Sequence, residues 1–441
     1  MPSRPNHSTT FSMVILAFMF FVFGFVSWVN AILIPYFKIA CELTNFQSYL
    51  VAFAFYLAYF FMSVPASVLL DRAGFKKGIM IGFFIMSAGA FMFIPAAFSR
   101  SYPVFLLGLF MVGTGLALLQ TAANPVVTMI GPMDRAAQRF SLVGICNKTA
   151  GILAPLIFAA VVLKVTDNEL FKSLDGGTLS LTERADILDA LIRRVIVPYA
   201  VLGTILFIVG LLIRYSPLPE INTELVNKEE LPESGSPKNS IFQFPYLILG
   251  ALAIFFHVGS QIIAIDTIIS YANTMGLSLL DARSFPSYVL GATLCGYLIG
   301  LVVIPKFINQ QNALLVCTLT GMVFSLGVLF FRGQVNVLGH QTDISIWFLV
   351  ALGLPNSLIF ANIWPLAIKG LGKWTKLGSS IMIMGLCGNA LTPLLYGYFA
   401  DRYDVRTAYF ILIPCYLYLI FYALYGYRVK SWSLSTLVKK I

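Results

Sequence analysis

The sequence predicts an all-α polytopic membrane protein in which twelve transmembrane helices form two six-helix bundles. Three observations lead there. Apolar runs of about twenty residues recur along the chain, the length a helix needs to cross a hydrocarbon core about 30 Å thick. The composition is 59% hydrophobic and 11% charged, with a mean hydropathy of +0.85, more apolar than a water-soluble core of 441 residues requires. Finally, "YSPLPEINTELVNKEELPESGSPKNS", residues 215–240, is rich in Pro, Glu, Lys and Ser and divides the runs into six and six.

The first run, 13–36, follows the polar "MPSRPNHSTT". It is too long for a signal-peptide core and has no small-residue cleavage pattern, so it stays as span one. Runs at 47–70, 78–98, 103–130, 139–163 and 195–214 complete an N-terminal bundle, residues 1–214. After a solvated linker, 215–243, runs at 244–272, 285–304, 312–331, 344–368, 377–399 and 406–428 form a C-terminal bundle, 244–441. Between spans five and six, the stretch 164–194 contains a polar, helix-prone piece, "LTERADILDALIRR".

The formal net charge of +10 reflects orientation and not a nucleic-acid partner. Lys and Arg are concentrated in short loops on the side shared by the termini and the linker, which predicts that both termini are cytoplasmic in a bacterial inner membrane. The lipid bilayer is the expected surrounding and the expected state is a monomer. The six cysteines, Cys41, Cys146, Cys295, Cys317, Cys387 and Cys415, include no CxxC and read as small buried apolar residues. With three His, no paired carboxylates in one span and no phosphate-cradling glycine loop, the chain does not read as an enzyme, and no resident cofactor is implied.

The informative residues are the polar ones at depth. In "LLQTAANPVV", 118–127, Gln120 and Asn124 stand four apart on one helical face. Unpaired amides in hydrocarbon cost several kcal/mol each, so this face should meet a wet or ligand-filled cavity. Amides both donate and accept, which suits the hydroxyls of a sugar. Asn147 and Lys148 in span five, Gln261 in span seven and Asn356, Asn362 and Asn389 in spans ten and eleven are candidates of the same kind. Span seven also carries His257, read as an interhelical hydrogen-bonding residue, and Asp266, read as a carrier of cation coupling or a partner for Lys148. At 100° per residue Asp266 lies about 140° from Gln261, so the two share a site only if the helix breaks. Spans four and ten each pair an Asn with a following Pro, Asn124 with Pro125 and Asn362 with Pro365. Proline frees backbone carbonyls, which is tolerated where a helix lines a cavity. Two six-helix halves around a site at the membrane midplane are the plan of transporters that work by rocking.

Longer motifs carry a resemblance. "DRAGFKKG", from Asp71 to Gly78, resembles the loop signature of the major facilitator superfamily, with Phe75 in place of a basic residue. "GLALLQTAANPVVTMIGPMDRAAQRFSLVGICNKTAG" (115–151) and "IFANIWPLAIKGLGKWTKLGSSIMIMG" (359–385) resemble the fucose permease-like sugar symporters, within them the glucose/galactose transporter branch. The resemblance implies the major facilitator fold, alternating access, cation-coupled import of a monosaccharide, and a conformational role for Asp71 and Arg72. It also places Trp28 on the cavity side; Trp28 or Trp364 would supply an aromatic platform for a pyranose ring.

Two departures bear on coupling. Where the family's span-one pattern has a proton-coupling Asp, this chain reads "SWVNAILIP", keeping Asn30 but placing Ala31 at the Asp position. A span-four Glu is replaced by Gln120, which exchanges no proton near neutral pH. The oxygens of Ser27, Asn30, Thr121 and Asn124, with carbonyls freed near Pro125, then predict Na⁺ as the co-transported ion ahead of H⁺, the latter through Asp266. An exporter of the same superfamily and a sugar sensor that does not transport are the competing readings. An exporter's cavity should be mostly apolar and aromatic, against the amides seen here.

Overall fold

A computed structural model describes residues 7–130, 132–162, 180–215, 240–277 and 279–432, together with Asp167, Leu170 and Leu174. Among the described residues, twelve helices are long and apolar enough to cross a membrane: Phe11–Ile34, Phe46–Ala73, Lys76–Ser99, Tyr102–Thr128, Ala136–Val162 and Leu181–Tyr215, then Pro245–Asp266, Phe285–Val303, Gln310–Phe330, Ser345–Ile368, Thr375–Arg402 and Thr407–Arg428. They are called spans one to twelve below. The face from which span one starts and at which span twelve ends is the terminal face, and the other is the far face. Residues 216–239 of the predicted linker lie outside the described residues.

Several spans are interrupted where hydropathy alone reads one continuous apolar run. Span one is helical over His7–Trp28 and again over Asn30–Ala40, with a break at Val29 beside the lining residue Trp28. Span seven ends its first helix at Asp266 and resumes as Ile268–Thr274. Span eleven passes through a 3₁₀ turn at Gly385–Cys387. Such breaks free backbone groups and are tolerated where protein or a cavity surrounds them.

The polar piece between spans five and six is a 13-residue helix, Leu181–Arg193, capped by Ser180 and Glu183 in a reciprocal box. It runs on almost directly into Ile196–Tyr215, so span six starts earlier than hydropathy alone predicts. Its Leu188, Leu191 and Ile192 are buried against the far-face ends of spans one and three. Ion pairs Arg184–Glu42 at 2.6 Å and Arg100–Asp189 at 3.3 Å hold it there, a roof over the N-terminal half. In the C-terminal half a two-stranded hairpin, Gln334–Val337 with His340–Asp343, lies between spans nine and ten. Positive φ at Leu338 and Gly339 makes the tight turn whose twist suits such a hairpin.

The halves meet along spans two and eleven and spans five and eight, with span ten also against span five. Within the N-terminal half, small residues set how closely spans one and five approach. A Cβ on Gly24 would lie 2.1 Å from the Asn147 carbonyl oxygen, and one on Gly151 would lie 2.5 Å from the Trp28 ring. Only glycine admits these contacts, and they fix Trp28 and Asn147 relative to one another.

Candidate functional site

Between the halves lies a cavity of about 130 Å³. Ser27 and Trp28 of span one, Gln120 and Asn124 of span four, Asn147 and Lys148 of span five, His257 and Gln261 of span seven, and Asn389 of span eleven all reach it. The predicted amide set therefore largely converges, although it comes from five spans in two bundles. Aromatic walls complete it: Tyr56 and Tyr59 of span two, Tyr297 of span eight, Phe140 and Phe360. The aromatic walls were missed in the sequence. The available signal was the pair Tyr56 and Tyr59, hydroxyl-bearing and three apart on one face of an otherwise apolar helix.

On the span-one side, the Trp28 indole N–H donates to Asn147 Oδ1 at 3.2 Å, and Asn147 Nδ2 donates to the Phe20 carbonyl at 3.1 Å. Asn147 is thus held in one orientation by both ends of its amide. The Lys148 ammonium lies 4.0 Å from the centroid of the Trp28 ring and 3.5 Å from Gln261 Oε1, at the long limit of a hydrogen bond. Lys148 is only 4% exposed. Burying an ion costs several kcal/mol, and a desolvated cation over an indole face returns about 2 kcal/mol. The contact with Gln261 is too long to close that gap.

On the span-four side, Gln120 Nε2 donates to the Tyr59 hydroxyl at 3.2 Å, and Ser27 hydrogen-bonds the same phenol. Asn124 is 1% exposed, and both its Nδ2 and its Oδ1 lack a partner. A buried amide left unpaired on both ends costs about 1–3 kcal/mol per group, a cost that a ligand offering both a donor and an acceptor would remove. His257 departs from the reading as an interhelical bonding residue: its ring lines the cavity and its buried Nδ1 has no partner.

Other predicted site residues lie away from the lining. Thr121 spends its hydroxyl on the Ala117 carbonyl at 2.8 Å, one turn back. Asn356 accepts from the Tyr416 hydroxyl at 2.8 Å, joining spans ten and twelve, and Asn362 Nδ2 donates to the Leu358 carbonyl at 2.6 Å. Trp364, fully buried, stacks on Phe360 at 5.5 Å and so backs an aromatic wall without forming it. The Asn30 side chain lies outside the described residues.

Asp266 does not pair with Lys148. The break at Thr267 leaves it 8% exposed at the end of its helix, within electrostatic reach of the Tyr49 and Tyr56 hydroxyls of span two, with Oδ2 unpartnered. Tyr56 lines the cavity, whereas Asp266 is not among the lining residues.

Asp71, in the signature loop, bridges the halves at the terminal face: its Oδ1 is 2.7 Å from Lys376 Nζ at the start of span eleven. Gln310 Nε2 donating to the Asp134 carbonyl at 2.7 Å, and Gln138 Nε2 to the Leu301 carbonyl at 3.2 Å, join the same face. Arg72 is exposed beside Asp71.

Comparison with known proteins agrees with this geometry, since the sequence matches the family model of the Major Facilitator Superfamily over residues 16–389. The chain belongs to the major facilitator superfamily. Among curated members it is 32% identical over 434 residues to a glucose/galactose transporter of Brucella abortus biovar 1 (strain 9-941), covering 96% of this chain and 98% of that one. It is 29% identical over 416 residues to the L-fucose-proton symporter of Escherichia coli (strain K12), covering 93% and 91%. Its fold is similar to the crystal structure of the superfamily transporter FucP in the outward conformation, with a TM-score of 0.74, 26% identity and coverage of 97% of this chain and 100% of that one. These superfamily relatives are transporters and not enzymes, in agreement with the sequence.

Proposed function

We propose that the protein is a secondary active transporter that imports a monosaccharide, a hexose such as glucose, galactose, mannose or fucose, by alternating access across a bacterial inner membrane with its termini in the cytoplasm. The observation that carries this reading is Asn124, a fully buried amide with neither end paired, lining an interfacial cavity beside Gln120, Asn147, Gln261 and Asn389. Sugar hydroxyls satisfy such a set from both the donor and the acceptor side. The names of the glucose/galactose and fucose relatives support the same substrate class.

Coupling is to Na⁺ in this reading. Ser27 and the free Oδ1 of Asn124 offer neutral oxygens in the cavity, and the Gln at position 120 removes a carboxylate from span four. One observation favours a second carrier: the unpartnered Oδ2 of Asp266, within electrostatic reach of Tyr56, a group able to take up a proton. Uptake of labelled hexoses by proteoliposomes under separately imposed Na⁺ and pH gradients tests both. Concentrative uptake with an inward Na⁺ gradient at symmetric pH supports Na⁺ symport; accumulation driven by pH alone in Na⁺-free buffer overturns it. Uptake of no monosaccharide, neutral or acidic, under either gradient would remove the transport reading itself.

A further inference from the structure

We infer that the preferred substrate is an acidic monosaccharide, a hexuronate whose carboxylate binds at Lys148 while its ring hydroxyls take up the amides. This rests on the sugar-transport reading and narrows its substrate class. The cavity carries an imbalance of charge. Lys148 is buried in the cavity wall, the described residues of the lining include no Asp or Glu, and Asp266, the buried carboxylate of span seven, is not among them.

The ammonium's surroundings leave room for an anion. Of its three N–H donors, the one directed at Gln261 Oε1 makes a 3.5 Å contact, and Trp28 covers it at 4.0 Å with a neutral π face. His257, whose buried Nδ1 has no partner, also lines the cavity and is within electrostatic reach of Lys148. A carboxylate seated here accepts from Lys148 and supplies the missing countercharge. A neutral hexose can offer only a hydroxyl dipole.

The geometry also divides the substrate. Lys148, Trp28 and Gln261 form a charged end, while Gln120 and the doubly unpaired Asn124 on span four form a hydroxyl-binding end. A pyranose ring carrying an exocyclic C6 carboxylate fits that polarity. It also answers an objection to Na⁺ coupling. A cation entering a cavity that already holds an ammonium meets repulsion, and an anionic sugar offsets it.

The test uses the full-length protein in proteoliposomes with two probes that differ only at C6, D-galacturonate and D-galactose, and with ligand-induced thermal stabilisation in detergent as an independent measure of binding. Losing one partner of a buried charge pair costs enough that wild-type protein should prefer galacturonate by about tenfold or more, and Lys148→Gln should weaken galacturonate by about thirtyfold, enough to abolish the preference. Lys148→Arg should keep the preference. Galacturonate methyl ester, tested on the wild-type protein, should fall to the galactose level, so the outcome does not depend on the folding of a variant. Equal affinities in the wild type, an ester as good as the acid, or a preference that survives Lys148→Gln each overturn the inference. Uptake of galactose without galacturonate defeats it and leaves the sugar-transport reading standing; binding and uptake of neither sugar defeat both.

Discussion

Asp71 and Lys376 are joined across the interface between the two bundles, Oδ1 to Nζ at 2.7 Å, at the terminal face. Each side chain is more than a third exposed, which limits such a pair to about 0–1 kcal/mol. Its importance lies in position. In the proposed transport cycle, rocking that opens the terminal face would break the pair, which would bias the conformational equilibrium without touching the distant cavity.

Asp71→Asn should therefore shift that equilibrium by about fivefold at most, the factor equivalent to about 1 kcal/mol. Exchange and net uptake rates should change while equilibrium binding of sugar stays close to wild type, and the shift should shrink as salt is raised. Loss of binding with normal exchange would reverse this assignment.

In the cavity, Gln120→Ala and Asn124→Ala should each weaken sugar binding by about 1–3 kcal/mol, since each leaves a hydroxyl without its partner. The two should differ in stability. Gln120 is already bonded to Tyr59, whereas Asn124 is unpaired without ligand, so Asn124→Ala should leave thermal stability of the empty protein unchanged or raise it. Thermal melts with and without sugar distinguish these outcomes.

Gly24→Ala probes the approach of spans one and five. The added methyl would lie 2.1 Å from the Asn147 carbonyl oxygen, and because that atom is backbone, the helices must move apart. Overpacking of this kind costs about 1–3 kcal/mol. The melting temperature should fall, and affinity should fall with it because Trp28 and Asn147 lose their register. An unchanged melt would mean that the contact is soft.

Asp404, on the far-face loop before span twelve, accepts from the backbone N–H groups of Arg406 and Thr407 at 2.9 and 2.8 Å and from the Thr407 hydroxyl. The Thr407 hydroxyl and these N–H groups, with Arg406 nearby, hold its carboxyl below the usual carboxylate range. A depressed carboxylate stabilises the folded state above its unfolded pKa, and this is lost as pH falls through the lower folded value. Asp404→Ala should cost about 0.5–1 kcal/mol at pH 7, as caps at exposed helix starts do, and the deficit relative to wild type should close in strong acid. Detergent melts across pH would show a constant deficit if the carboxylate were not responsible.

Much of this was legible in the sequence for one physical reason: lipid leaves polar groups no partners, so each deep amide marks a protein contact or a cavity. That logic located Gln120, Asn124, Asn147, Lys148, Gln261 and Asn389 in the lining. It could not separate them from Asn356 and Asn362, because an amide bonded to Tyr416 or to a carbonyl one turn back has the same composition as one facing a ligand. Helical phase anticipated that Asp266 and Gln261 diverge. The break at Thr267, just past Asp266, depends on tertiary contacts that periodicity does not record. The early start of span six was hidden because Leu181–Arg193 is amphipathic and buries only three residues.

That roof helix makes a fixed reference mark. Arg184–Glu42, Arg100–Asp189 and the bond from the Tyr36 hydroxyl to the Leu191 carbonyl all close within the N-terminal half, while the hairpin on the same face is tied by Arg406 to Asp343 within the C-terminal half. Each cover travels with its own bundle. Leu181 is 88% exposed on one and Leu338 is 68% exposed on the other, so spin labels or fluorophores at these two positions form a ruler across the mouth. The distance distribution between them, recorded with and without sugar or cation, would count the populations of the transport cycle directly.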